Sequence, residues 1–476
     1  MKRTIAVSLV VIATISIGLV IGFRSFTNPV SCSESSTETA SVMRSQLPFV
    51  QFGAIRKYKL ANGRSPNAIT VAPDGSVWFG EQAVPGIGHL YANGTLVEYA
   101  WPFQYKSPAY TYIWGIADWN GCVWASDEAG SQVVAVDPNT GRLRTIQLTA
   151  GSFPYTLTVA PDDTLWFTEA YGLKIARIDT KLNLQEYPIP ELGTPAQIAF
   201  ANNSLAYYVD AGNVGLARTG IYSFNPNNVA PTLIDPSTNN LVVPTSLALV
   251  NDGIWVAEHD TSDLAYYKFG SHEIIQFPTT PVSYVSTTLP YFVEGNDSLV
   301  WFNEHYGNRI GVIDTRSGLL TEYSLSNPPA NRTSQIDNAL TFALGGSRVW
   351  FTELTADYVG YIDATYKPSF SVSTDQQKFN ANAGSKISVR LLVKGFSAGP
   401  LKICFADSEN YTGLPFRITM QANETEIPSL NGLNVIDLTI TTDSRLAPGS
   451  YILLITVTDG PVNQAVYVWL QVANGL

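Results

Sequence analysis

The tetrapeptide Trp166-Phe167-Thr168-Glu169 decides the fold, because it returns along most of the chain. Four further copies keep the Trp and the Glu, and two weaker copies end in Asp: Trp78–Glu81, Trp255–Glu258, Trp301–Glu304, Trp350–Glu353, Trp124–Asp127 and Tyr207–Asp210. Successive copies begin 41 to 49 residues apart. A period of this length is typical of a propeller blade built from four strands.

The third copy in chain order shows the internal order of one repeat. Pro154–Val159 is typical of a strand, Ala160–Asp163 of a tight turn, and Leu165–Glu169 of a second strand. Lys174–Ile178 and Leu184–Tyr187 follow as two further strands, each after a short polar link. Seven such repeats predict an all-β fold with a seven-bladed β-propeller over residues 49–366.

The last repeat is incomplete. It stops after Gly360–Asp363 and lacks the strand that ends the other repeats, whereas a strand of that type, Ile55–Leu60, stands alone before the first repeat. Pairing the two would close the ring and remove its exposed sheet edges. We therefore expect the amino-terminal strand to complete the seventh blade.

A targeting segment opens the chain. Lys2 and Arg3 precede Thr4–Phe23, which carries no charge and, at about 1.5 Å per residue, can cross a hydrocarbon core of about 30 Å. Residues 1–27 are predicted to be a single-pass signal anchor, with a cleaved signal peptide as the alternative. The positive end should stay in the cytoplasm, which places the bulk of the chain outside the cell membrane, or secretes it after cleavage.

Two regions flank the repeats. Residues 28–48 are rich in Ser and Thr and are predicted to be a linker. Residues 367–476 lack the repeat and contain about seven β-rich segments, which predicts an immunoglobulin-like β-sandwich acting as a spacer. Cys32, Cys122 and Cys404 fall in the linker and the two domains, so the cysteines do not predict a disulfide framework.

The repeat resembles that of the virginiamycin B (streptogramin B) lyase family of seven-bladed β-propellers. The resemblance rests on Thr158–Pro190 and Trp301–Tyr323, which combine the tetrapeptide, an Ile-Gly-x-Ile-Asp strand and a Glu-Tyr strand. It implies a magnesium-assisted elimination that opens the ester of a cyclic peptide antibiotic. It also implies that a Glu and a His on the upper face of the propeller carry this chemistry.

Charge and motif content exclude several function classes. The 476 residues include 28 Lys and Arg against 39 Asp and Glu, a net charge of −11, which would repel a phosphate backbone. Nucleic acid is therefore not expected as a partner. The His-Glu-x-x-His motif and the phosphate-binding loop are absent from the sequence, which disfavours those enzyme classes.

The candidate site follows from positions that differ between repeats. A carboxylate present in every repeat is typical of a structural residue, but only two repeats add a histidine, giving Glu258-His259 and Glu304-His305. Imidazole suits general-base catalysis near neutral pH, so His259 and His305 are candidate catalytic residues. Glu258 and Glu304 are candidate ligands for Mg²⁺, the only cofactor expected.

Candidate ligand-binding residues lie where the inner strands begin. They are aromatic or amide side chains, a mixture that suits a small peptide, a glycan or a surface protein: Asn67, Trp114, Tyr155, Tyr291 and Asn338. Two functions therefore stay open. The chain is either a membrane-anchored recognition module that binds a ligand on the upper face, or a magnesium-dependent lyase that opens a cyclic depsipeptide or similar ester by elimination.

Overall fold

The structure is a computed structural model that describes residues 38–103, 112–189, 193–212, 219–282, 286–326, 339–407 and 417–473. Within these ranges the chain is all-β, and its one helix is a short 3₁₀ turn at Pro236–Asn240. No helix in the described part of the chain is long and apolar enough to span a bilayer. The predicted signal anchor, residues 1–27, lies outside the described ranges.

The strands are numbered in chain order. Three precede the first copy of the repeat: β1 (Ser41–Gln46), β2 (Phe49–Phe52) and β3 (Ile55–Lys59). The first two copies contribute β4 (Pro66–Val71), β5 (Val77–Glu81), β6 (Gly86–Leu90), β7 (Thr95–Ala100), β8 (Ile116–Trp119), β9 (Cys122–Asp127), β10 (Gln132–Val136) and β11 (Leu143–Gln147). The third and fourth contribute β12 (Pro154–Val159), β13 (Leu165–Glu169), β14 (Lys174–Ile178), β15 (Leu184–Pro188), β16 (Pro195–Asn202), β17 (Leu205–Asp210), β18 (Gly220–Asn225) and β19 (Asn228–Leu233).

The later copies follow the same order. The fifth and sixth contribute β20 (Pro244–Val250), β21 (Gly253–Glu258), β22 (Asp263–Lys268), β23 (Glu273–Pro278), β24 (Pro290–Asn296), β25 (Leu299–Glu304), β26 (Arg309–Asp314) and β27 (Leu319–Ser324), and the seventh β28 (Phe342–Gly345), β29 (Arg348–Glu353) and β30 (Tyr358–Asp363). The C-terminal region contains β31 (Phe370–Thr374), β32 (Lys378–Asn382), β33 (Lys386–Ser397), β34 (Leu401–Asp407), β35 (Ile418–Ala422), β36 (Glu426–Ile427), β37 (Leu430–Thr442), β38 (Gly449–Thr458) and β39 (Val462–Ala473).

Each copy of the repeat lies in its own antiparallel sheet, and we name these sheets first to seventh in the order of their copies. In the third sheet, every residue of β13 is buried, because the sheet is covered on both faces. Trp166 packs against Phe224 of the fourth sheet, with ring centroids 5.6 Å apart, whereas Phe167 shares a core with Trp124 of the second sheet. The Trp-Phe pair thus joins three sheets, since adjacent side chains on a strand point to opposite faces.

The amino-terminal strand completes the seventh sheet. β3 pairs with β30 in antiparallel register, with Ile55 opposite Ile362, and the sheet order is β2-β3-β30-β29-β28. This pairing confirms the prediction made from the incomplete last repeat. β2, which the sequence analysis did not single out, adds an outer strand next to β3.

The end of the predicted linker is structured. Residues 41–46 form β1, which pairs with β7 at the outer edge of the first sheet, with Ser41 opposite Ala100. All six residues of β1 are exposed, so main-chain hydrogen bonds rather than apolar burial hold this strand. The assignment of these residues to a linker is therefore wrong. A strand without a buried face leaves no hydrophobic alternation in the sequence.

The C-terminal strands form two sheets that pack on one core, to which Leu391, Ile436, Leu453 and Val468 contribute. One sheet has the order β31-β33-β37-β35, and the other is continuous with the sixth sheet through the pairing of β39 with β27. A single nine-stranded sheet thus runs from the repeats into the C-terminal region, with β32 pairing alongside β39. No sequence pattern predicted this connection.

One cysteine departs from expectation. Cys122 is disulfide-bonded, whereas Cys404 is free. The sequence analysis placed the three cysteines in separate segments and predicted no framework from them. At least one disulfide therefore adds to the packing that stabilises the repeats.

Candidate functional site

Five of the residues selected from the sequence meet in one cluster, which we call the upper-face cluster: Trp114, Tyr155, His259, Tyr291 and His305. Ring centroids lie 5.4 Å apart for Trp114 and Tyr155, 6.1 Å for Trp114 and Tyr291, and 5.4 Å for His259 and Tyr291. The hydroxyls of Tyr155 and Tyr291 are hydrogen-bonded to each other. Side chains from the second, third, fifth and sixth sheets are therefore in contact.

The two tyrosines are positioned by the same local backbone. Each follows a proline at the start of an inner strand, and the residues before the prolines, Phe153 and Leu289, have φ angles of 56° and 53°. The strand pairing then shifts register within the first residues of β12 and of β24. Such bulges redirect side chains, which explains why both tyrosine side chains point towards the middle of the circle of sheets.

The two histidines contact each other directly. His259 and His305 each follow the last residue of a second strand, and their Nε2 atoms lie 3.2 Å apart. The carboxylate of Asp260 lies 2.8 Å from His259 Nδ1 and therefore accepts the Nδ1 proton. His259 Nε2 is then free to accept the Nε2 proton of His305. Asp260 thus fixes the tautomer of His259, and through it that of His305.

His305 is a neutral imidazole. Its side chain is 7% exposed, and burial, followed by the proximity of His259, lowers its pKa to about 3. Its buried Nδ1 has no hydrogen-bond partner in the described part of the chain. Tyr291 stacks on the same ring at 5.6 Å, so the imidazole is held between aromatic neighbours.

The glutamates before the histidines lie apart from them. Glu258 is 1% exposed, and its Oε1 accepts the N–H of Val242 at 2.6 Å, whereas the buried Glu304 lies 3.8 Å from Arg309 Nη1. Burial raises the pKa of Glu258 to about 7 and also raises that of Glu304. Glu258 is thus bonded within its own sheet, whereas neither carboxylate oxygen of Glu304 has a hydrogen-bond partner in the described part of the chain.

These residues do not fit a magnesium ion. Within the described ranges, no three His, Cys, Asp or Glu side chains converge on one point. Mg²⁺ prefers six oxygen ligands in octahedral geometry, whereas the histidine nitrogens bond each other and Glu258 bonds the backbone. Glu258 and Glu304 thus lack the geometry of the metal ligands expected from the sequence.

Comparison with known proteins finds similarity to one family of propellers. Residues 42–222 match the virginiamycin B lyase family. A virginiamycin B lyase of Nocardia farcinica is 30% identical over 128 residues, 27% of this chain and 43% of the relative's length. The crystal structure of selenomethionine-substituted virginiamycin B lyase from Staphylococcus aureus has a TM-score of 0.54 at 20% identity, covering 68% of this chain and 99% of that one. This chain contains a virginiamycin B lyase-like propeller.

Two further solved structures support the propeller fold. A streptogramin B lyase matches with a TM-score of 0.53 and 21% identity, covering 64% of this chain and 96% of that one. A catalytically inactive variant of the Staphylococcus aureus lyase with quinupristin matches with a TM-score of 0.54 and 21% identity, covering 66% and 99%. At these identities the structures establish the fold, and the chain spans less than half the length of the curated relative.

One other ligand-binding candidate, Asn67, lies on β4 of the first sheet. Asn67 is fully buried. Its main-chain carbonyl oxygen accepts hydrogen bonds from the hydroxyls of Thr341 at 2.7 Å and Thr352 at 2.6 Å. It therefore joins the first sheet to the seventh. Asn338 lies outside the described residues.

Sequence reasoning missed a carboxylate in the cluster. Glu128 Oε2 accepts the indole N–H of Trp114 at 3.0 Å, and burial raises the pKa of Glu128. Glu128 follows Asp127 just as His259 follows Glu258, so the position after the repeat carboxylate was the signal that identifies it. Asp260 carried no such signal, because its role depends on the orientation of His259.

A Gly-x-Ser-x-Gly sequence also escaped the sequence analysis. It covers residues 395–399 at the end of β33, far along the chain from the repeats. The hydroxyl of Ser397 donates to the Gly399 carbonyl at 2.9 Å, and no helix follows in the described residues. The strand–turn–helix setting of a nucleophile is therefore missing, and this serine is not a site residue.

A cavity of about 740 Å³ runs along the inner strands of the virginiamycin B lyase-like propeller. Trp114 lines it, together with residues of β4, β8, β12, β16, β24 and β28. Glu294 also contributes, and burial raises its pKa to about 7 although its Oε2 accepts the N–H of Leu344 at 3.3 Å. The cavity thus reaches the upper-face cluster from within the ring of sheets.

Proposed function

We propose that this protein is an extracytoplasmic recognition module that binds a small cyclic peptide on the upper-face cluster. The contact of Trp114, Tyr155, His259, Tyr291 and His305 across four sheets carries the proposal. Aromatic walls with a few fixed polar groups suit a ligand that presents rings and amides. Quinupristin in the related lyase structure supports a cyclic peptide over a glycan or a surface protein.

The proposal includes the architecture around the site. Residues 49–366 would form seven blades, one for each sheet that carries a copy of the repeat, and residues 367–476 an immunoglobulin-like spacer. The seven sheets and the two-sheet C-terminal core support this organisation. The spacer would then extend from the end of the propeller, and residues 1–27 would anchor the chain in the membrane.

The proposed location is outside the cytoplasm, with a single-pass anchor and no nucleic-acid partner. The disulfide at Cys122 supports an oxidising compartment, since disulfides persist mainly there. The net charge of −11 opposes binding to a phosphate backbone. Protease added to intact cells should therefore remove both domains, and full protection of both would overturn the location.

The alternative function is a lyase, and the Asp260–His259–His305 chain favours it. A neutral imidazole could remove a proton next to a carbonyl; the freed electron pair would form a carbon–carbon double bond while the ester C–O bond breaks and leaves a carboxylate. His259 would be the base, since the low pKa of His305 makes its imidazole the weaker base. Since the described side chains do not fit Mg²⁺, no part of this alternative depends on the metal.

Calorimetry and mass spectrometry with quinupristin distinguish the two functions. The full chain should bind quinupristin without changing its mass, and Trp114→Ala should weaken binding roughly tenfold or more, because central aromatic residues dominate binding energy. Phe396→Ala, at an exposed aromatic residue of the C-terminal region, is the matched control and should bind normally. Absence of binding would contradict the recognition proposal, and ring opening would favour the lyase.

A further inference from the structure

We infer a second ligand site, for an acidic oligosaccharide, between the repeats and the C-terminal region. A cavity of about 620 Å³ lies there, lined by residues of the fifth sheet, the sixth sheet, β32 and β39. Three cations and four aromatic residues dominate it: Lys268, Arg316, Lys378, Trp255, Tyr266, Phe277 and Trp469. It shares no lining residue with the upper-face cluster, so it does not depend on the proposed function.

The aromatic wall is continuous across the two regions. Trp255 lies 5.0 Å from Tyr266 and 4.7 Å from Phe277, and Phe277 lies 6.5 Å from Trp469, measured between ring centroids. Trp255 is buried, and its indole N–H has no hydrogen-bond partner among the described residues. Tyr266 and Trp469 are only half-buried, so the wall presents their rings, which are the groups that stack on sugar rings.

Most of the charged residues that line the cavity are cations. Lys268, Arg316 and Lys378 are exposed, come from three separate segments, and form no ion pair in the described part of the chain. The nearby carboxylate of Asp252 accepts the hydroxyl of Tyr266, which lowers the pKa of Asp252, so it is ionised and offsets one cation. A net positive rim on a protein of charge −11 favours a ligand with carboxylates.

The cavity is a fixed feature of the junction. The main-chain N–H of Trp469 donates to the main-chain carbonyl of Gln377 at 2.7 Å. The side-chain Nε2 of Gln377 donates to the main-chain carbonyl of Ser317 at 3.2 Å. Gly318 has a φ of 68°, and a Cβ there would come within 3.2 Å of the Trp469 ring. The paired strands β27 and β39 hold these parts together. The site therefore exists only because the C-terminal region docks on the sixth sheet.

The size and composition of the cavity select the ligand class. An inorganic anion would leave most of the aromatic wall uncovered, and a neutral sugar would leave the cations unused. A uronate-containing oligosaccharide uses both the aromatic wall and the cations, because its pyranose rings stack on aromatic faces while its carboxylates accept hydrogen bonds from Lys and Arg. Sugars of this class occur outside the cytoplasmic membrane, where the protein is proposed to lie.

Calorimetry on the full chain with a galacturonate hexamer tests the inference, with a neutral maltohexaose as the matched probe. Wild type should bind the acidic hexamer and should not bind the neutral one. The triple variant Lys268→Gln, Arg316→Gln, Lys378→Gln should weaken binding by roughly tenfold or more, because each lost charged hydrogen bond contributes to affinity. Trp469→Phe should weaken it less, since part of the ring face remains.

The matched control is Lys386→Gln, Lys394→Gln, Lys402→Gln, which removes three exposed cations of the C-terminal region outside the cavity. It should bind as wild type does, and quinupristin should not compete with the hexamer. If both triple variants weaken hexamer binding equally, the loss of affinity is due to net charge alone, and the proposed site is wrong. Failure of wild type to bind the acidic hexamer, or equal binding of the neutral one, would overturn it as well. Neither result bears on quinupristin binding at the upper-face cluster.

Discussion

Lys57 Nζ lies 2.8 Å from Glu353 Oε2, and this ion pair joins the amino-terminal strand to the last copy of the repeat. Lys57 is on β3 and Glu353 on β29, and both side chains are buried. The same ammonium donates to the Leu325 carbonyl at 2.8 Å, at the end of the sixth sheet. The closure of the ring thus depends on one cation that reaches the sixth and seventh sheets.

Breaking this pair should destabilise the protein. Lys57→Met should lower the free energy of unfolding by about 3–5 kcal/mol, because it leaves the Glu353 carboxylate buried without its cation. Adding Glu353→Gln should recover part of the loss. Arg390→Met, which breaks the exposed pair with Asp375, is the control and should cost about 1 kcal/mol or less. Urea denaturation measures all four proteins, and equal effects of Lys57→Met and Arg390→Met would contradict a closing role.

Glu258 should make stability fall as the pH rises. Burial raises its pKa from 4.5 to about 7, so between these values the folded state binds a proton that the unfolded state has lost. The contribution of Glu258 to the free energy of unfolding is complete below pH 4.5 and is lost as the pH rises through 7. Glu258→Gln cannot ionise and keeps an acceptor for the Val242 N–H. As the pH rises across this range, the free energy of unfolding of the variant should therefore increase relative to that of wild type by on the order of 3 kcal/mol.

Urea denaturation at several pH values between these limits measures that gain. Glu273→Gln, at an exposed residue of β23, is the matched control for the loss of one carboxylate. A constant difference for Glu258→Gln as well would show that Glu258 is already ionised at the lower limit. Burial would then not raise the pKa of Glu258 above that of the unfolded chain.

Magnesium should not stabilise the protein. A ligand that binds the folded state raises the melting temperature with its concentration, but the described carboxylates and imidazoles do not converge on a site for it. Thermal melts at millimolar Mg²⁺ should therefore match the metal-free melt. A concentration-dependent rise that is abolished by Glu304→Gln together with His305→Ala would contradict this expectation and favour the lyase alternative.

Local sequence signals fixed much of the architecture. The Trp-Phe pair requires two apolar faces, the Ala-Pro-Asp turns separate short strands, and the orphan strand at Ile55–Leu60 matches the incomplete last repeat. These features depend on residues close together in the sequence, and they predicted both the repeated sheets and the pairing of β3 with β30. The histidines after Glu258 and Glu304 were also visible as departures from the repeat.

The tertiary structure alone decided the contacts between repeats. The sequence could not show that Tyr155 and Tyr291, 136 residues apart, are hydrogen-bonded, or that the nitrogens of His259 and His305 meet while Glu258 turns away. The joining of β27 to β39 was equally hidden. The side-chain contacts depend on how distant strands are placed, and the strand pairing depends on main-chain hydrogen bonds, which nearly every residue type can form and which therefore leave no pattern in the sequence.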